Sequence, residues 1–395
     1  MEIRILTDAE REEYIHLLSV AFAMPMSHPQ MQRNKADALK YTIWGVFEEQ
    51  KLLCATMVYF LTCNLDGTFC KLLGIGGVVT YPEARRKGAV RRLMKVVLET
   101  YRQEGYLFSG LIPFDHAFYR KFGYESSFVH KTYDIPLPEL SGLPQPARVR
   151  MVNDPNDTAE AQAVYDVFAA GLNQTVGRGS EPMGFTQVFG GDTYEDGIYR
   201  YILYGAEEKP EAYVSFTADT SEGERILAVN EMAWIDRDAL WKGFGFLSTF
   251  YSHYQKVRIK VPTDVRLEML VARPRTIREN QRYNYMMRVL NVEAAATNLR
   301  APRFAGSFNL EITDPFLPEN EGVYRFAWEQ NGRVSCNRTE ETPDGRMSVS
   351  AFLTVLMGVL SMEEALYRPD VQISSSLEDM KLLFTRRPQY KREDF

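Results

Sequence analysis

Between residues 90 and 101 the chain sets apolar and polar positions in a helical rhythm. Val90, Leu93, Met94, Val97, Leu98 and Tyr101 fall at i, i+3, i+4, i+7, i+8 and i+11. That spacing draws one apolar stripe along an α-helix, and Gly105 supplies the stop signal at its far end. Leu73–Thr80 before it is a nearly continuous apolar run, the pattern of a buried strand, and Tyr106–Pro113 after it reads as a second short one. The junction of first strand and helix is Arg85-Arg86-Lys87-Gly88-Ala89-Val90. A helix start carries unpaired N–H groups and partial positive charge, so phosphates settle there. Gly88 lets an anion approach the main chain with no Cβ in the way. A basic first turn on a surface helix is also common in α/β proteins, so the pattern alone leaves both readings open.

The remaining periodicity divides the chain into three blocks, residues 1–145, 146–282 and 283–395. The first opens with an amphipathic helix from Asp8, followed by strands near Tyr41–Phe47, Leu52–Thr62 and Phe69–Thr80. Asn64-Leu65-Asp66-Gly67 joins the last two as a hairpin. Pro136, Pro138, Gly142, Pro144 and Pro146 mark a linker. The second block repeats the plan. Strand Arg148–Val152 and helix Asp157–Ala170 lead through a glycine-rich loop, Gly171–Gly191, to strands near Ile198–Tyr204, Ala212–Ala218 and Ile226–Ile235, then a helix at Ala239–Tyr254. Where a basic turn should precede that helix stands Asp236-Arg237-Asp238. Carboxylates cap helices well and compete with a phosphate for the same N–H groups, so this block is expected to be a non-catalytic copy. The third block opens on an apolar strand, Met286–Val292, continues with strands Gly306–Thr313 and Gly322–Glu329 and a turn at Asn331-Gly332, and reaches a very apolar helix, Ala351–Leu360, running on through Ser361–Leu366. Its Leu and Met stripe fits a packed core and also a lipid-lined tunnel. The whole is a mixed α/β (α+β) architecture.

Composition changes this picture little. A chain of 395 residues with 45% hydrophobic content has ample material for several packed cores. A net charge of −6 argues against a partner held through nucleic-acid phosphates and suits cationic substrates weakly. Cys54, Cys63, Cys70 and Cys336 show no metal-like spacing and read as buried fillers, a pattern suited to the reducing cytoplasm. The five histidines form no catalytic grouping. His116, three residues before Tyr119, is more simply a loop residue than a site residue. Residues 1–13 are too charged for a signal peptide, and no run is long enough to span a membrane.

The segment Ala117-Phe118-Tyr119-Arg120-Lys121-Phe122-Gly123-Tyr124 follows the second strand. Strand, basic-turn helix, strand and "FYRKFGY" is the order of the GNAT acyltransferase core, and Arg85-x-x-Gly88 resembles that family's motif A, with Val90 where a small residue is usual. The resemblance implies acetyl-coenzyme A as co-substrate and no metal. Backbone N–H groups across Arg85, Arg86, Lys87, Gly88, Ala89 and Val90 would hold its pyrophosphate, with Val78, Val79 and Thr80 beside the pantetheine arm. Tyr119 stands where the superfamily often places a general acid. A thiolate leaving an attacked thioester needs a proton, and a phenol of pKa about 10 can donate one within hydrogen-bond reach; the alternative is a core tyrosine. Tyr124 reads as structural. The motif-A form, the aromatic segment, the length and the final residue Phe395 together resemble the Eis (enhanced intracellular survival) family, two GNAT-like domains followed by a sterol-carrier-like domain. In that family the chain end enters the first domain's site, which makes the Phe395 carboxylate the base. An α-carboxyl of pKa about 3.3–3.7 would need burial or an ordered water for that task; otherwise residues 386–395 are a frayed tail. The function implied is acetyl transfer to a small polyamine, aminoglycoside-like or lysine-type amine by direct transfer, in a homo-oligomer that the family forms as a hexamer. No nucleophilic Cys or paired His lies near the motifs to carry a covalent intermediate. Met24 stands near where the family places an acidic substrate contact, which counts against aminoglycosides. The competing function is a lipid or sterol carrier, or a scaffold, with a relict transferase domain.

Overall fold

The computed structural model describes residues 1–179, 184–185, 189–221, 223–269 and 271–393. Phe395, the expected base, lies outside the described residues.

Strands β1 (Glu2–Ile5), β2 (Thr42–Glu48), β3 (Lys51–Leu65), β4 (Thr68–Thr80), β5 (Phe108–Leu111) and β6 (Glu125–Pro136) form the first unit. Its helices are α1 (Arg11–Phe22), α2 (Pro29–Ala38), α3 (Ala89–Gln103) and α4 (His116–Arg120). The middle unit holds β7 (Arg148–Met151), β8 (Tyr199–Tyr204), β9 (Pro210–Asp219), β10 (Ile226–Trp234), β11 (Lys256–Lys260) and β12 (Arg278–Val289), with helices α5 (Ala159–Ala170) and α6 (Arg237–Ser248). Among the described residues all twelve strands make one sheet, ordered β1-β2-β3-β4-β5-β12-β6-β11-β10-β9-β8-β7. The β3–β4 hairpin turns on Asp66 and Gly67, at φ 49° and 87°, the positive angles that a two-residue hairpin loop requires.

The strand expected to open the third block instead belongs to this sheet. Met286–Val289 completes β12, inserted antiparallel between β5 and β6. Its apolarity comes from burial on both sheet faces, and no local pattern reveals which sheet receives it. The third unit has its own five strands, β13 (Gly306–Thr313), β14 (Gly322–Trp328), β15 (Val334–Thr339), β16 (Gly345–Ser348) and β17 (Val371–Ile373), ordered β15-β14-β13-β16-β17. The long apolar helix expected there is two helices, Val349–Leu356 and Met362–Ala365. Gly358 breaks it at φ 70°, and Ser361 starts the second piece with a capping box to Glu364. The first piece is buried in a cluster with Phe308, Phe326 and Phe384, as a packed core requires.

The four cysteines are buried free thiols. Among the described residues no helix is long and apolar enough to cross a membrane.

His130 on β6 is 5% exposed with its ring 4.7 Å from Phe128. Burial, reinforced by Lys260 and Lys391, pushes its imidazole down to about 3. The unfolded chain therefore binds one more proton than the native state between about pH 3 and about pH 6.5, and stability falls as pH drops through that window. His130→Gln should lose less melting temperature between pH 7 and pH 4 than the wild type does. An equal loss would remove His130 from the acid sensitivity.

Candidate active site

β4 and β5 run parallel only from Leu72 and Phe108 to Ile75 and Leu111. Beyond that point β4 bulges, with Gly77 and Val78 opposite the single Thr56 of β3. Gly77 is at φ 55°, and a Cβ there would lie 2.1 Å from the Tyr14 hydroxyl, which donates to the Gly77 carbonyl. The bulge thus rests on a close approach from α1 that only glycine permits.

The parting strands open a cleft of about 700 Å³. Ala21 and Phe22 close one side from the end of α1, and Val78, Val79 and Thr80 form the strand wall. Arg85, Arg86, Gly88, Ala89, Val90 and Arg91 bring the basic turn and the first turn of α3. Phe114, Phe118, Lys121 and Phe122 face them from α4 and its flanks. Of the nine expected coenzyme contacts, Lys87 alone is not part of this wall and is exposed.

The turn has the backbone an anion needs. Arg86 and Gly88 are left-handed, at φ 62° and 77°. No side chain caps α3, and its first turn holds no acidic residue, so no carboxylate of that turn occupies its leading N–H groups. A Cβ on Gly88 would meet nothing within 4 Å; glycine is required there by its angle and leaves open space for a ligand. α3 is fixed by Leu93, Met94, Val97, Leu98 and Tyr101, all buried under the sheet. At the matching place in the middle unit, Asp236 caps α6 by accepting from the Ala239 N–H at 2.9 Å. The start of that helix is thus occupied by a side chain of its own.

Tyr119 is 3% exposed and stands behind the wall. Its ring packs against Phe114 at 5.5 Å and Phe118 at 5.2 Å, both of which line the cleft. Burial beside Tyr124 pushes its phenol above the ordinary value of 10, so it stays protonated across the neutral range. Tyr124 is fully buried, its hydroxyl 2.6 Å from that of Ser109. His116 is held by the Tyr283 carbonyl at 2.8 Å.

The segment leading to Phe395 is not frayed: Gln389, Tyr390, Lys391 and Glu393 are all buried. The Lys391 ammonium stands 4.2 Å over the Tyr285 ring. The Tyr285 hydroxyl in turn lies where a Gly110 Cβ would come within 2.0 Å, which places the segment beside β5.

Phe22, Phe114, Arg91 and Lys121 were not anticipated as wall residues. Lys121 lies inside the aromatic motif, three residues after Phe118, which also lines the cleft. Phe22, at a helix end, carries no local signal.

A family model described as an acetyltransferase (GNAT) domain matches residues 2–127, and another of the same description matches residues 185–289. A sterol carrier protein domain model matches residues 292–391. Among curated protein sequences none matches. Solved structures share the fold end to end. A GCN5-related N-acetyltransferase from Anabaena variabilis superposes with a TM-score of 0.88 at 17% identity, covering 100% of both chains. Eis1 from Mycobacterium abscessus gives 0.79 at 19% identity, again over 100% of both. A GCN5-related N-acetyltransferase from Kribbella flavida gives 0.82 at 19%, over 100% of this chain and 98% of that one. Two regions that match acetyltransferase (GNAT) domain models stand in tandem with a sterol carrier protein domain match behind them, and the chain shares its fold with Eis1.

Proposed function

We propose that the first unit transfers an acetyl group from acetyl-coenzyme A directly to a primary amine held in its cleft. The observation that supports this most is the contrast between the two copies. α3 begins uncapped among Arg85, Arg86, Arg91 and Lys121, whereas α6 begins on Asp236. The coenzyme supplies an activated thioester; the chain supplies the rest. Main-chain N–H groups of the turn and first helical turn hold the diphosphate, with the four cations around it. The amine nitrogen bonds to the acetyl carbon as the carbon–sulfur bond breaks. Tyr119 gives its proton to the departing thiolate, and the Phe395 carboxylate, directly or through a water, takes the proton the amine sheds. In this scheme residues 1–145 do the chemistry, residues 146–282 form the inert copy, and residues 283–395 carry the segment that ends in Phe395.

The family resemblance points to a small polyamine, an aminoglycoside or a lysine-type amine. Among the described residues the cleft wall offers rings and cations rather than carboxylates, which favours an acceptor with one amine on an apolar body over a polycation. Assembly as a homo-oligomer, a hexamer by the same resemblance, is read by light scattering.

The test is calorimetry with acetyl-coenzyme A, followed by thiol release across a panel of amines. A saturable heat signal and amine-dependent thiol release are expected. No heat at millimolar coenzyme would end the proposal. Within it, Arg85→Ala and Arg86→Ala should each raise KM for the coenzyme about five-fold, from about 1 kcal/mol of exposed charge pairing, with kcat held. The effect should shrink at high salt, because exposed pairs are screened. A salt-independent KM would assign both side chains to the surface alone.

A further inference from the structure

We propose that the middle unit's vestigial cleft is a socket for the segment Pro388–Glu393, and that Arg178 is the positioning residue that aims this segment at the first unit's site; the catalytic half of this rests on the role proposed above for Phe395. The two copies part their strands in the same way. In the middle unit β10 and β11 run parallel over Ile226–Ala228 and Lys256–Arg258. β10 then bulges between Val229 and Glu231, as β4 does at Gly77. In the first unit the parting opens a cleft. In the middle unit Asp236 closes the phosphate end, and the place beside the bulge, under α5, is filled by the chain's own Tyr390 and Glu393. Tyr390 packs at 5.1 Å on Phe168 of α5 and belongs to the same buried cluster as Tyr213 and Ala233.

The grip centres on one guanidinium. Arg178 donates to both oxygens of Glu231 at 2.6 and 2.7 Å, and through Nε and Nη2 to Glu393 at 2.9 and 2.6 Å. It lies 3.7 Å over the Tyr165 ring, and the side chains of Arg178, Glu231 and Glu393 are at most 1% exposed. One guanidinium between two carboxylates leaves a buried negative charge, and Lys391, also buried, supplies the balancing cation. Against the burial that would raise it, Arg178 and Lys391 hold Glu393 below the ordinary carboxylate range. The backbone is fixed as firmly. Tyr390 donates to the Asn173 carbonyl and Asn173 to that of Pro388, while Thr263 donates to Gln389. Six residues of tail are therefore built into the middle unit, and Lys391 among them already stands over Tyr285 beside β5. The two residues after Glu393 add at most about 7 Å of extended reach. A charged tail sealed in a core has a simple purpose here: it removes the freedom that would otherwise dilute a catalytic group at its tip.

The experiment uses the full chain with Arg178→Met, Arg178→Lys and Glu393→Gln. Two readouts are taken, tryptic cleavage after Lys391 and Arg392 followed by mass spectrometry, and kcat with KM for acetyl-coenzyme A. Arg178→Met should speed cleavage at least ten-fold and lower kcat at least ten-fold with KM unchanged. Arg178→Lys should recover part of both. A protected tail in Arg178→Met, or a released tail with full kcat, would overturn the proposal. If Arg178→Met does not fold, Glu393→Gln decides by the same two measurements, since it removes one charge and keeps the shape. Cleavage reports on the socket whether or not the protein transfers acetyl groups, so failure of the enzymatic proposal shows separately, as absent coenzyme binding in the wild type.

Discussion

Tyr119→Phe should lower kcat about a hundredfold or more, the lower end of what a positioned general acid contributes, and leave acetyl-coenzyme A affinity within about two-fold. The substitution removes one oxygen and nothing else. Among the described residues the Tyr119 hydroxyl has no hydrogen-bond partner, and the ring is held by Phe114, Phe118, Phe122 and Tyr124 at centroid distances of 5.2 to 6.4 Å. Phenylalanine keeps those contacts, so melting temperature should barely move, and any loss of rate belongs to the lost proton. Burial raises this phenol above 10, so the group is an acid that stays loaded and should set no fall in rate below pH 10. Tyr119 packs against Phe114 and Phe118, which line the cleft, and catalytic contacts commonly tighten only in the complex. Single-turnover kinetics with a saturating amine give the test. Unchanged kcat would place Tyr119 with Tyr124 as part of the core.

What the sequence disclosed was what short-range physics controls. The stripe from Val90 to Tyr101 became α3 because a six-residue apolar face at helical spacing has one way to be buried. Asp66-Gly67 became a hairpin loop because few residue pairs accept two positive φ angles. Asp236 declared itself a cap three residues ahead of the N–H it accepts from. The hidden features depend on distant partners. α2 has a polar sequence, with only Met31 and Ala38 buried, and lacks the stripe that announces a helix. The break after Leu356 depends on Gly358, where a Cβ would meet Arg387 at 2.6 Å, a contact across 29 residues of chain. The socket for the tail is assembled from Arg178, Glu231 and Glu393, and no window of sequence contains all three.

The same logic identifies the contact that binds the third unit to the cleft. Arg288 on β12 and Asp314 are both fully buried, paired at 2.5 Å. Asp314 also accepts from the N–H groups of Phe316 and Leu317 and from Asn320, and Arg288 donates to the carbonyl of Phe122, a wall residue of the cleft. Phe316 packs on Phe122 at 5.1 Å and lies 5.1 Å from the Arg91 guanidinium. Arg288→Met leaves a carboxylate sealed from water without its cation, which should cost about 3–5 kcal/mol. Adding Asp314→Asn removes the stranded charge and keeps an acceptor for the two backbone N–H groups, so the double variant should regain a large part of that loss. Three units need not unfold together, so the measurement is the midpoint of each transition in urea, followed by tryptophan emission and by coenzyme binding. The first transition should move, and KM for acetyl-coenzyme A should rise with it, because Phe122 loses the donor that fixes its carbonyl. A double variant no more stable than Arg288→Met would show that the packing around Arg288, rather than the pairing of charge, carries the interface between the sterol carrier domain and the site.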